Sequence, residues 1–189
     1  MADETTASGK EPHYAVLNDE TEHRRLFGWW KSLEDNRGER AELRRCATPE
    51  EVLPAKAFHR LCRILPQWEQ QDLLALAVVA GVLAHVENAG GGSFARQLGT
   101  PREDGDKALF SELRFQQLLA AHDHGEFFQR LRRAVQQADR KADIHCLADG
   151  ILHWARDRAD ATAAQPSQRF RYTWARDYFQ PTLKLAQGE

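Results

Sequence analysis

The run Leu73 to Val86, LLALAVVAGVLAHV, carries no formally charged side chain. A helix that is apolar on every side has no solvent-facing edge, so it needs apolar neighbours all round. A bilayer supplies such neighbours, but spanning one takes about 20 apolar residues, and this run is too short. It therefore predicts a core helix over Trp68 to Asn88, the most apolar element and the centre of a first bundle.

Elsewhere, apolar residues recur at steps of three and four. Asn18 is the expected cap of a helix with Asp19, Glu20 and Glu22 in its first turn and a stripe of Leu26, Trp30 and Leu33. Thr48-Pro49-Glu50-Glu51 reads as a capping box with proline at the first helical position. Phe58, Leu61, Cys62 and Leu65 continue the helical spacing up to Pro66. Ala89 to Gly105 is rich in glycine and reads as the main break. Beyond it, Leu109, Phe110, Leu113, Leu118 and Leu119 mark one or two helices. Asp143 is expected to cap a helix carrying Ile144, Leu147, Ile151 and Ala155. Ser167 is expected to cap the last helix, which carries Phe170, Trp174 and Tyr178. No stretch sustains the alternation of a strand. The expected fold is all-α: a flexible arm over 1–17, then helical bundles over 18–100 and 101–189 joined by the Gly-rich connector.

The 189 residues are 29% charged and 42% hydrophobic, a soluble and globular balance. The formal net charge of −2 is low for a protein that binds nucleic acid unaided. Any such role must come from a local patch, helped by partner subunits. Cys46, Cys62 and Cys146 are odd in number and widely spaced, so no disulfide framework is implied. The acidic N-terminus lacks a signal-peptide pattern, which makes the cytoplasm the expected location, without membrane association.

Catalytic chemistry finds little support. His122 and His124 flank a turn, but a fixed metal site needs three or four ligands and no second cluster accompanies them. His145 and Cys146 are consecutive, so on a helix they point apart. Gly90-Gly91-Gly92 lacks the spacing of a phosphate loop and no strand precedes it. No serine sits in a GxSxG elbow. Neither enzyme, metal nor cofactor is expected.

The remaining signal is arginine. In EFFQRLRRAVQQADRK, from Glu126 to Lys141, the residues Phe127, Phe128, Leu131, Val135 and Ala138 form an apolar face. Arg130, Arg133, Gln137 and Arg140 share a ridge opposite, which Lys141 extends and Arg132 flanks. A second cluster is Arg37, Arg40, Arg44 and Arg45, with Arg40 and Arg44 one turn apart. Guanidinium groups bind phosphate well, yet arginine also serves simply to solvate helix faces. Both readings stand on the residues alone. Without a groove-reading motif, the binding mode would be sequence-independent contact with the backbone.

Three segments together resemble the small subunit of the bacterial type I-E CRISPR Cascade complex, the CasB family. They are Glu39-Arg40-Ala41-Glu42-Leu43-Arg44-Arg45 with Thr48-Pro49 and Phe58-His59-Arg60-Leu61; Leu113-Arg114-Phe115-Gln116-Gln117-Leu118-Leu119-Ala120-Ala121 running into Leu131-Arg132-Arg133-Ala134-Val135; and Trp174-Ala175-Arg176-Asp177-Tyr178-Phe179. Order and spacing match from about residue 26 to 180.

The resemblance implies two small helical bundles without catalytic activity. It implies two copies placed head to tail, in contact with the large subunit and with the backbone subunits that hold the guide RNA. Target DNA would be a partner through the displaced non-target strand of the R-loop. Arg44, Arg45, Arg114, Arg132 and Arg133 occupy the family's arginine positions and are the nucleic-acid-binding residues it implies. Arg130, Arg140 and Lys141 join them from the ridge. The rival expectation is a helical adaptor whose arginines pair with acidic partner surfaces.

Overall fold

The computed structural model describes residues 14–102, 105, 107–160 and 164–186. Its first half contains α1 (Glu20–Asp35), α2 (Arg37–Arg45), α3 (Pro49–Val52), α4 (Lys56–Cys62), α5 (Pro66–Gln71), α6 (Leu73–Leu83) and α7 (Phe94–Gly99). The second half contains α8 (Glu112–Leu119), α9 (His124–Gln137), α10 (Ile144–Ala159) and α11 (Phe170–Ala186). Two short strands, β1 (Asn88–Ala89) and β2 (Lys141–Ala142), pair in parallel with Asn88 opposite Lys141. The protein is all-α apart from this small ladder.

Helix α6 is the centre, as its composition requires. Every residue from Ala75 to Leu83 is buried, and α3, α4, α5, α9 and α10 all pack against it. Gly81 lets α9 approach closely, since a Cβ there would lie 2.5 Å from Cε2 of Phe128. Contacts of α6 with α9 and α10 join residues before and after the Gly-rich connector in one apolar cluster.

The helix expected over Trp68 to Asn88 is divided. Asp72 adopts φ −155° and ψ 87°, and its carboxylate accepts the Ala75 N–H at 2.9 Å. This caps α6 while α5 ends one residue earlier. The same carboxylate meets Nε2 of His124 at 2.9 Å, so the His122–His124 turn is a helix-packing contact. Among the described residues no group of three or more His, Cys, Asp or Glu could hold a metal ion. No helix among them is long and apolar enough to cross a membrane.

Two caps differ from expectation, the Thr48 box forms in one of its two halves, and the Asp143 cap holds. Asp19, rather than Asn18, caps α1 by accepting the Thr21 N–H. Thr48 accepts from Glu51 as expected, but the Glu51 carboxylate reaches back to the Ala47 N–H. Ser167 lies in a short 3-10 turn, and the Phe170 N–H that opens α11 is taken by the Asp157 carboxylate at 2.6 Å. Asp143 caps α10 as expected, accepting from His145 and Cys146. The arm expected over 1–17 lies largely outside the described residues. Its end is docked, because the buried Asp149 carboxylate accepts the N–H groups of Ala15, Val16 and Leu17 at 2.7 to 2.9 Å.

Candidate nucleic-acid interface

The end of α6 organises the arginines. A helix C-terminus leaves carbonyls without intrahelical partners and carries the negative end of the dipole. Here cations from α2 satisfy it. Nε of Arg40 and Nε of Arg44 both donate to the Ala84 carbonyl, at 3.0 and 2.8 Å, and Arg40 also donates to the Val86 carbonyl. The one-turn spacing of the two side chains lets them grip one carbonyl together.

Glu87 follows directly. Its Oε1 accepts from Arg44 at 3.0 Å and from Arg140 at 2.6 Å. Hydrogen bonds from Arg140, then from Arg44, hold this carboxyl below its ordinary range despite some desolvation. Arg140 reaches this position because the chain turns sharply after α9. Helix α9 ends at Gln137, and Asp139 and Arg140 take left-handed φ values of 51° and 56°. The Arg140 carbonyl accepts the N–H groups of Glu87 and Asn88 at 2.7 and 3.2 Å, which starts the β1–β2 ladder. Arg140 and Lys141 are therefore not continuations of the α9 ridge, as the helical spacing predicted. The turn takes them off the helix and onto the segment after α6.

Arg132 links the same elements from below. Its Nε donates to Nε2 of His85 at 3.0 Å, and its terminal nitrogens donate to the Cys46 and Arg44 carbonyls at 2.7 and 3.0 Å. With Gln129, which donates to the Ala47 carbonyl, it satisfies carbonyls at the end of α2. Its guanidinium also lies 5.1 Å from the Phe128 ring centroid. Burial, and then the charges of Arg132, Arg44, Arg140 and Arg40, push His85 down to about 4. His85 is thus a neutral acceptor within a strongly positive field. Burial and the neighbouring Arg44 likewise lower Arg40.

The other expected residues take different positions. Arg45 ends α2 and is exposed, Arg133 is exposed on α9, and Lys141 is exposed on β2. Arg114 is exposed on α8. Arg130 pairs with Glu126 one turn back and donates to the Gln117 carbonyl, fastening α9 to α8. The structure thus gathers Arg44, Arg132 and Arg140 around the end of α6. An open groove of about 480 Å³ lies beside them, lined by Glu34, Arg37, Arg40, Arg44 and Glu87. Sequence reasoning placed Arg37 and Arg40 in a basic run without assigning them to the site. It missed His85 and Glu87, whose arginine partners are distant in the chain.

Comparison with known proteins identifies the family. The profile of a family described as CRISPR-associated protein Cse2 matches residues 39–179. A chain in a crystal structure of E. coli Cascade bound to a PAM-containing dsDNA target is similar, with a TM-score of 0.61 and 25% identity over 88% of this chain and 99% of that one. No protein of curated function matches. The small-subunit resemblance read from the three sequence segments is borne out, and the profile match takes in Arg40, Arg44, Arg132 and Arg140 alike. The chain belongs to the Cse2 family of CRISPR-associated proteins.

Proposed function

We propose that this protein is the small, non-catalytic subunit of a cytoplasmic type I-E Cascade complex. In this reading it binds nucleic-acid backbone and stabilises the R-loop by holding the displaced non-target strand. Its partners are the large subunit, the backbone subunits around the guide RNA, target DNA and a second copy of itself. The observation that carries the reading is the convergence of Arg40, Arg44 and Arg140 on the end of α6. It concentrates guanidinium donors beside an open groove in a chain whose net charge is −2.

The chemistry suits the role. R-loop formation exchanges one duplex for another of similar stability, so modest protein contacts tip it. Phosphate contacts need no base readout and work through counterion release. Arg45, Arg114, Arg133, Arg140 and Lys141 are the exposed cations assigned to direct contact, with the half-buried Arg44. Arg130 and Arg132 contribute charge while fastening helices.

The test replaces Arg45, Arg133 and Lys141 together by alanine. R-loop formation by the assembled complex should weaken and its salt dependence should flatten, with the fold retained. R-loop formation equal to wild type across a salt series would overturn the assignment. One observation favours the adaptor reading: the arginines already hold a carboxylate, Glu87, so an acidic protein surface also suits them. In that case the triple variant fails to join the complex.

A further inference from the structure

We propose that Glu87 is a built-in counter-ion, its carboxylate occupying the place of a backbone phosphate between Arg44 and Arg140 and giving way when nucleic acid docks. The inference rests on the backbone-binding reading above and adds how that site is controlled.

The geometry supports it in three ways. First, both arginines converge on one oxygen, Oε1, at 3.0 and 2.6 Å. Convergent guanidinium donors around a single anionic oxygen are the arrangement that a phosphate oxygen accepts. Second, the frame stands without the Glu87 carboxylate. Nε of Arg44 is held by the Ala84 carbonyl, and the Arg140 backbone is held by the ladder to Glu87 and Asn88. Withdrawal of the carboxylate leaves Arg44 anchored through its Nε and Arg140 through its backbone. Third, the carboxylate can leave. The Glu87 side chain is 40% exposed, and it borders the open groove.

The carboxylate also leaves capacity unused. Arg44 offers it one nitrogen and Arg140 one nitrogen, while Arg37 and Arg40 line the same groove. A phosphate diester shares its one negative charge between two non-bridging oxygens and, not being tethered at residue 87, can engage donors that Oε1 does not reach. Exchange of carboxylate for phosphate is therefore nearly balanced at each contact, and docking becomes favourable when several phosphates engage together. Glu87 would thereby suppress binding to isolated phosphate groups and favour an extended strand.

The experiment compares the full-length protein with Glu87→Gln and with Arg44→Ala/Arg140→Ala, using a labelled single-stranded DNA of mixed sequence over a salt series. Glutamine keeps the acceptor oxygen and removes the charge. Glu87→Gln should bind up to about fivefold more tightly at low salt, the scale of one exposed ion pair. Its plot of log affinity against log salt should steepen by about 0.7, one further phosphate neutralised. Inorganic phosphate should raise the melting temperature of Glu87→Gln more than that of wild type, an independent readout. Binding by Glu87→Gln equal to or weaker than wild type, while Arg44→Ala/Arg140→Ala is impaired, overturns the counter-ion role and leaves backbone binding intact. Absence of salt-dependent binding in all three proteins, both alone and within the assembled complex, overturns the backbone-binding reading and this inference with it.

Discussion

Arg44 on α2 and Arg140 after α9 donate to the same oxygen, Oε1 of Glu87. The two arginine clusters of the sequence are thereby parts of one surface. What joins them is backbone: the left-handed pair Asp139 and Arg140 ends α9, and the parallel pairing of Asn88 with Lys141 seats the turn beside the end of α6.

Neighbouring arginines on α9 should behave differently. Arg132 donates to His85, to the Cys46 carbonyl and to the Arg44 carbonyl, so its loss unpairs groups that tie α9 to α2. Arg132→Ala is expected to cost about 2 kcal/mol of stability. Arg133 is exposed, and Arg133→Ala should stay within about 0.5 kcal/mol of wild type while weakening single-strand DNA binding. Urea unfolding together with a binding titration separates the two. Equal stability losses would show that the Arg132 contacts are not specific.

Acid should destabilise the protein well above the ordinary carboxylate range. His85 is pushed down to about 4 from an ordinary 6.5, first by burial and then by surrounding arginines. The unfolded chain accepts this proton near 6.5, whereas the folded chain refuses it until about 4. The stabilisation is complete above pH 6.5 and is lost as pH falls through that window. The total is about 3 kcal/mol, because each pH unit between those two values is worth about 1.4 kcal/mol. His145 and His153 are also lowered by burial and add to the same slope. His85→Gln keeps an acceptor for Arg132 and removes the titration. Its stability should fall less steeply between pH 6.5 and 4.5, measured by denaturant midpoints; an unchanged slope would exclude His85 as a source.

Much of this architecture is legible in the residues. The central helix, the apolar face of α9 and the Asp143 cap all follow from spacing and side-chain chemistry. The break at Asp72 does not, because apolar and helix-favouring residues continue on both sides of it. Lys141 fell off the expected ridge for a similar reason. The turn at Asp139 and Arg140 uses neither glycine, proline nor asparagine, and a single aspartate marks it only weakly. Glu87 is invisible for another reason: its partners lie 43 and 53 residues away, and only the fold brings them together.

The segment before α1 should depend on one carboxylate. Asp149 accepts three consecutive backbone N–H groups, from Ala15, Val16 and Leu17, and Leu17 beside it is buried. An asparagine offers one acceptor oxygen, and its NH2 group would face an N–H donor. Asp149→Asn is therefore expected to cost about 2 kcal/mol. Amide hydrogen exchange at Ala15 to Leu17 should accelerate more than in α6. Uniform acceleration across both would instead indicate a general loss of core stability.

The contact between Gly81 and Phe128 can be isolated by a double-mutant cycle. On an exposed helix, glycine to alanine gains about 1 kcal/mol of helix propensity. At Gly81 a Cβ would sit 2.5 Å from Cε2 and 2.7 Å from Cζ of Phe128, with Cγ2 of Val52 at 3.3 Å. Phe128 and Val52 are buried and have no exposed side to move towards. Overpacking of this kind costs about 1 to 3 kcal/mol, so Gly81→Ala should be net destabilising. Phe128→Leu removes the ring atoms that clash and is itself destabilising through the space it leaves. In that background the new methyl group has room, and the propensity gain should reappear. Gly81→Ala is thus expected to be neutral or stabilising beside Phe128→Leu, giving a coupling of at least about 1 kcal/mol. Denaturant unfolding of the four proteins measures it. Equal effects of Gly81→Ala in both backgrounds would mean that α6 and α9 are not held apart by this ring.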